Sequence, residues 1–455
     1  MTALPRYLLA RFASALALFS ALLGSTAPSP LYPIYIDRFG LSHFMATAIF
    51  AVYAIGTLGA LAVVPRIMRY FGDRCRILMV GLALTAAGTM LFAVSSVEWT
   101  LFLGRFLNGA GTGVVAGVAS TALVELAPAA GRRLAATLAT LAFTGGAASG
   151  PLITSAALAL NLAPTVTPFL VIAVIALAAF LGLLLSRWPG ADEIAGRDAP
   201  AGRAAEGAAE GTADDRSEAR PDAASEAASD SALPGLFVLS CLAITIAWMI
   251  GSVLMAVGAN LGLEVYRLAS ASVAGLIPAL FQLFAGLGQA VCGRYSGLRT
   301  VGWGALGIVL AQVTLVLAAP GAHGAVLVFA MPFCGFAYGA AFVGGLSLAS
   351  ATTDPDRRAS RISRFYTVGY LSNAVPTVSF GILTDAVGLA NAFYIFSAVL
   401  IALGLTTLGY AARYRLNGTG RPPRGRGKGG RGRRGRATMA EPSRRAAGGH
   451  HPETC

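Results

Sequence analysis

Leu101-Phe-Leu-Gly-Arg105-Phe-Leu-Asn108-Gly109-Ala-Gly111-Thr-Gly113 lies inside an apolar run that extends from about residue 99 to 126. Roughly 20 such residues cross a bilayer as a helix, so the run reads as a membrane span with a guanidinium inside it. A charge in that position is costly and marks a functional site with a partner, unless the side chain can reach one surface by snorkelling. Gly109 and Gly113 fall one and two turns deeper than Arg105, and Asn108 adds a polar group beside them, which favours the functional reading. The closely spaced glycines sit within a helix, where they form a surface for close helix approach; a nucleotide-binding glycine loop would follow a strand.

The rest of the chain resolves into similar runs. It has 455 residues, 56% hydrophobic and 12% charged, half the charge of an ordinary soluble domain, which argues against a soluble enzyme. Breaking the apolar runs at charges, Pro and Gly predicts spans near 10–33, 43–65, 76–95, 99–126, 134–159 and 165–187, then 235–262, 271–293, 300–319, 324–350, 362–384 and 388–411. The sequence therefore predicts an all-α membrane protein of twelve transmembrane helices in two sets of six. The N-terminal run, behind Arg6 and Arg11, resembles a signal peptide, but further spans follow at once, so an uncleaved first helix is the better reading.

Fifteen arginines from Arg6 to Arg364 fall in the short loops on the N-terminal side of the spans, against Arg38 and Arg267 on the other. Positive charge is retained in the cytoplasm, which places both termini and the central loop there. The formal charge of +13 is concentrated at one end: from Arg413 onward, 12 basic and two acidic residues hold +10 of it. That basic tail, 413–455, and the acidic stretch 189–234, with 11 acids and four arginines, have too few large apolar residues to bury a core and read as disordered. They flank an N-terminal bundle, 1–188, and a C-terminal bundle, 235–412. The tail has three readings: contact with anionic lipid, which is preferred, contact with the acidic linker, and, least favoured, nucleic-acid binding. One Lys against 33 Arg hints at a GC-rich genome and fits a bacterial inner membrane.

An internal repeat supports two halves. Arg69-Tyr70-Phe71-Gly72-Asp73-Arg74 recurs as Arg294-Tyr295-Ser296-Gly297-Leu298-Arg299, and Gly109, Gly113 and Pro128-x3-Arg132-Arg133 are echoed by Gly335, Gly339 and Pro355-x-Arg357-Arg358. Two similar bundles around a midplane cavity are a common plan for secondary transporters.

On these residues the chain resembles the major facilitator superfamily (MFS), and specifically its drug/proton antiporters. The fourth span is similar to that family's lxxxRxxqGxgxg motif with Asn108 in place of Gln, and residues 65–78 lie where the family has its GxLaDrxGrrxxl loop. Gly72, Arg74 and Arg76 match that loop, whereas Arg69 stands at its Asp and Pro65 at its first Gly. Gly146, Gly150 and Pro151 in the fifth span resemble the antiporter motif gxxxGPxxGG, with Thr154 and Ser155 replacing its last glycines. The resemblance implies that Arg105 takes part in proton coupling and that Glu125 pairs with Arg74 or Arg76 in a charge relay. An Arg at position 69 would be repelled by the helix terminus that the family's Asp faces. The coupling acid is not obvious. The first span carries no carboxylate across Gly24–Pro30; Asp37 is the nearest acid, and Asp385 reads as a loop residue.

For a substrate cavity the polar and aromatic candidates are Tyr366, Tyr370 and Asn373, which share a helix face, Gln282 and Gln289, and, as lesser candidates, Tyr32, Tyr53, Asn260, Tyr338 and Phe342. Such a lining, without buried carboxylates, suits neutral or anionic amphipathic compounds. Four scattered histidines and five cysteines without ligand spacing predict neither a metal site nor catalysis, and no P-loop is present, so a proton gradient is the presumed driving force and no cofactor is expected. The expectation is a monomeric, proton-linked exporter of small molecules in contact with the lipid bilayer. An uptake symporter and a non-transporting sensor or scaffold are the alternatives.

Overall fold

The computed structural model describes residues 7–71, 73–128, 131–188, 223–351 and 355–416. Among them every regular element is helical. Eleven helical stretches are long and apolar enough to cross a membrane: Leu8–Phe39, His43–Met68, Arg74–Ala93, Glu98–Glu125, Leu134–Ala159, Thr167–Leu185, Pro234–Val265, Ala271–Cys292, Gly297–Ala318, Gly324–Ala349 and Leu389–Arg415. The helix Pro355–Val387, polar at its start with Arg357, Arg358, Arg361 and Arg364, precedes the last of these and completes twelve spans, numbered here in chain order. Gly72, the linker from 189 to 222, the tail beyond 416 and the side chain of Arg69 lie outside the described residues.

Two boundaries differ from expectation. The helix of span 7 begins at Ala223, so residues 223–234, expected to be structureless, are helical. The run Ala-Ala-Ser-Glu-Ala-Ala-Ser-Asp-Ser-Ala that opens this helix is alanine-rich, and alanine has the highest helix propensity. Span 1 is not one helix either. It runs Leu8–Thr26, narrows to a 3-10 turn at Ser29–Leu31, and resumes at Tyr32–Phe39. Pro28 and Pro30 lack the amide protons that would carry an α-helix through this stretch, so backbone carbonyls there need partners elsewhere. The second segment stops at Gly40, whose φ of 62° is the left-handed conformation that glycine adopts at a helix C-terminus.

Within each half the packing is the same. The first helix of the half contacts the fourth, fifth and sixth, the second packs on the fourth, and the third on the fourth and sixth. The halves meet crosswise, span 2 against span 11 and span 5 against span 8. Glycines set the closest approaches. A Cβ at Gly109 would overlap the Tyr53 carbonyl, and one at Gly335, its echo in the repeat, would overlap the Phe281 carbonyl. Gly113 and Gly339 face the backbones of Thr57 and Ala285 in the same way. The glycine echo in the sequence is thus the record of one helix-packing contact made twice.

The two ends of the bundle are not alike. At the arginine-poor end a single hydrophobic cluster crosses between the halves, from Leu31, Tyr35 and Ile49 to Val257, Tyr266 and Phe380. At the arginine-rich end, among the described residues, the clusters stay within one half each, around Leu78 and Val118 in the first and Leu239 and Phe365 in the second. The protein is closed at the arginine-poor end. Asp385, expected to be a solvated loop acid, is part of that closure. Its two carboxylate oxygens accept the backbone N–H groups of His43 at 2.9 Å and Phe44 at 3.0 Å, so the last turn of span 11 caps the first turn of span 2 across the halves. The helix terminus supplies free donors and a partial positive charge to that carboxylate, and Gly381, one turn earlier, lets the two helices approach until a Cβ would meet Thr47 and the His43 carbonyl.

Loss of a side-chain cap costs about 1 kcal/mol, roughly a fivefold population shift. Asp385→Ala is expected to raise by about that factor the rate at which a membrane-impermeant maleimide labels an Ile49→Cys reporter from the arginine-poor side. Asp385→Asn, whose single amide oxygen can accept only one of the two N–H groups, should label at a rate between the parent and Asp385→Ala; parent-like labelling of Asp385→Ala would exclude a latch.

Candidate functional site

Arg105 is placed by glycine packing on both sides of its helix. Gly104 meets Gly88 on span 3, and Gly109 sits on the Tyr53 carbonyl of span 2, while Thr57 Oγ1 donates to the Gly109 carbonyl at 3.0 Å. This contact brings Phe50 and Tyr53 beside Arg105. The guanidinium carbon is 4.9 Å from the centroid of each ring, a cation–π contact with both. Arg105 Nη1 donates to the Ser25 carbonyl at 2.5 Å, where span 1 leaves its α-helix, and Thr154 Oγ1 of span 5 donates to the Ala27 carbonyl at 2.8 Å. Side chains of spans 4 and 5 therefore satisfy carbonyls of the broken span. Arg105 is 1% exposed, so it does not snorkel to a surface.

A cavity of about 180 Å³ opens between the halves beside this arginine. From the N-terminal half it is lined by Ser25, Phe50, Tyr53 and Arg105, and from the C-terminal half by Trp248, Ser252, Met255, Gln282, Tyr338, Tyr370 and Asn373. Trp248 centres the far wall. Its ring lies edge-on to Tyr370 at 4.9 Å and packs on Phe342 at 6.3 Å and Tyr366 at 6.4 Å. A larger, shallow cleft near Glu264, Arg267 and Tyr394 belongs to the arginine-poor surface of the second half alone.

Of the residues singled out in the sequence, Arg105, Tyr53, Gln282, Tyr338, Tyr370 and Asn373 line the cavity. Tyr366 and Phe342 stand behind Trp248, not on the wall. Tyr32 is buried against Phe50 in the closed end, and Asn260, also buried there, donates to Glu264 at 3.4 Å. Gln289 lies two turns beyond Gln282 and does not reach the cavity. Asn108 points away from it and donates to Thr89 of span 3 at 3.2 Å. Asp37 is exposed on the arginine-poor face.

The motif positions of span 5 are packing contacts with span 1. A Cβ at Gly146 would overlap the Phe19 carbonyl and one at Gly150 the Thr26 hydroxyl, with Pro151 one residue further along the same helix. At the arginine-rich end the side chains of Arg74 and Glu125 form an ion pair. Arg76 instead pairs with Asp73 at 2.9 Å, the residue that caps span 3 by accepting from the Arg76 amide at 3.1 Å.

Sequence reasoning missed Trp248, Phe50, Ser252 and Met255. Trp248 alone had a usable signal, as an isolated tryptophan midway along a span.

The fold has solved relatives. A bacterial homologue of the human lysosomal transporter Spinster, in an inward-facing and occupied conformation, is 16% identical, with 92% of this chain and 99% of that one covered at a TM-score of 0.69. A D-xylose–proton symporter is 14% identical over 89% of this chain and 98% of its own, TM-score 0.65, and the nucleoside transporter NupG 12% over 90% and 99%, TM-score 0.64. At these identities the likeness is one of fold. Among curated proteins no sequence matches significantly. The profile of the Major Facilitator Superfamily matches residues 14–375, and again 236–446. Spanning well over half of the sequence, that match shows that the chain belongs to the Major Facilitator Superfamily of membrane transporters.

Proposed function

We propose that the protein is a proton-coupled exporter that moves small amphipathic organic molecules across a bacterial inner membrane by alternating access. The observation that carries this reading is the cavity between the halves, sealed at one end and containing a buried arginine on a broken helix. With the arginine-rich face in the cytoplasm, as the distribution of positive charge favours, the conformation is inward-facing. A substrate would enter from the cytoplasm and reach Arg105, Tyr370 and Trp248 at the midplane. Release would require the Asp385 contact to open and the arginine-rich ends to come together. The small-residue contact between spans 1 and 5, similar to the antiporter motif, supports exchange over uptake.

No carboxylate lines the cavity, so the proton step falls to groups outside it. Glu125, paired with Arg74 at the arginine-rich end, and Asp37 on the opposite face are the acids in question, with Arg105 transmitting occupancy of the cavity through span 1. The Arg74 and Glu125 side chains are 24% and 32% exposed, so the pair is only partly shielded from solvent. The proposed role of the pair is in the transport cycle.

Everted membrane vesicles with a dye reporting proton release, challenged with amphipathic drugs, dyes and organic acids, test the main reading. Substrate-induced proton movement is expected with the wild type and its loss with Arg105→Ala. Uptake in place of export would reverse the assigned direction, and no flux across the panel from folded protein would remove the transport assignment. For the relay, Glu125→Gln should still fold, as a cooperative thermal transition verifies, while lowering turnover severalfold; wild-type turnover would remove Glu125 from the cycle.

A further inference from the structure

Two buried side-chain atoms on the cavity wall have no hydrogen-bond partner, Arg105 Nε and Trp248 Nε1. Both are donors, and they come from opposite halves. The Arg105 hydrogen bond goes to a neutral acceptor, the Ser25 carbonyl, and its flanking groups are the neutral rings of Phe50 and Tyr53. Among the described residues no Asp or Glu lines the cavity. A guanidinium is always charged, so the wall carries a positive charge with no carboxylate opposite it, in a medium where charge interactions are far stronger than in water. A cationic substrate would have to enter against that charge, and a neutral one would leave it uncompensated.

We propose that the substrate class is a small, singly charged amphipathic oxyanion whose acidic group is taken by Arg105. This rests on the transport reading above and narrows it. Arg105 Nε lies on the guanidinium edge that Ser25 does not use, the fork that matches a carboxylate, and the Trp248 N–H is a second unpartnered donor, from the other half. Both are buried behind the cavity surface, so the acidic group would reach them by displacing the side chains in front. An oxyanion drawing on both would bind the two halves to each other, the contact that closing the arginine-rich end requires. Tyr53, Tyr338 and Tyr370 provide the surface for an aromatic or branched aliphatic body. The volume of about 180 Å³ is below the 300–1,000 Å³ usual for drug-sized ligands, which limits that body to about one ring.

The test is a matched series differing only in charge. Binding of 4-phenylbutyrate, 4-phenylbutyramide and 4-phenylbutylammonium to the full-length protein in neutral detergent is measured by titration calorimetry, with thermal unfolding to verify each variant. The carboxylate is expected to bind the wild type at least tenfold more tightly than the amide, and the ammonium least tightly. Arg105→Gln should abolish this discrimination, and Arg105→Lys, which keeps the charge but loses the fork, should retain part of it. A purely structural arginine would change stability without changing the order of the three ligands. Should Arg105→Gln not fold, Trp248→Phe keeps the ring and removes the donor, and is expected to weaken the carboxylate severalfold while leaving the ammonium unchanged.

Equal affinities, a preference for the amide or ammonium, or no binding of any of the three to folded wild type would overturn the proposal. Flux in proteoliposomes separates it from the transport reading. Phenylbutyrate bound with the expected preference but not moved would keep the anion site and remove transport. Flux of neutral or cationic compounds without that preference would do the reverse.

Discussion

The contact between Arg105 and the Ser25 carbonyl solves two problems of a membrane interior together. A guanidinium buried in hydrocarbon needs a partner, and a helix interrupted by Pro28 and Pro30 leaves carbonyls that no water can satisfy. Neither is tolerable alone. Placed opposite one another, they let span 1 break at the midplane and let an arginine face a cavity, with Phe50 and Tyr53 covering the remaining cation. Thr154 does for Ala27 what Arg105 does for Ser25. Spans 1, 4 and 5 are thereby tied at one level, and the N-terminal wall of the cavity is a consequence.

The packing that holds those spans in place is made by absent side chains. Hydrocarbon offers no hydrophobic force to drive one apolar helix onto another, so close backbone approach and the contacts it permits have to supply cohesion. Gly109 on Tyr53 and Gly335 on Phe281 do this at equivalent places in the two halves. The halves are nevertheless different where the chemistry lies. The first contributes a charge and a broken helix. The second contributes an aromatic wall around Trp248, on a span that stays α-helical through the midplane and relaxes into a π-turn only at Leu261–Val265. Duplicated architecture thus supports an unsymmetrical site.

The two ends of the bundle are held differently. At the arginine-poor end the halves share one apolar cluster and the Asp385 cap on span 2. At the other end the carboxylate of the loop after span 2, Asp73, is engaged within that loop by Arg76.

The number of spans, most of their limits, the duplication and the burial of Arg105 within a span were legible in the sequence, because each depends on short-range properties: apolar length, charge within an apolar run, and glycine spacing along one helix. The same local patterns identified Tyr53, Tyr370 and Asn373 as residues on cavity-facing helices. They could not separate Tyr370, on the wall, from Tyr366 one turn away behind Trp248, since that depends on how span 11 is rotated against span 7. Nor could they show that Asp385 reaches His43 and Phe44, a contact between residues more than 340 positions apart. Composition determined a membrane protein with two six-helix halves. Only the tertiary structure decided which polar atoms meet, because inside a bilayer each of them must find its partner on another helix.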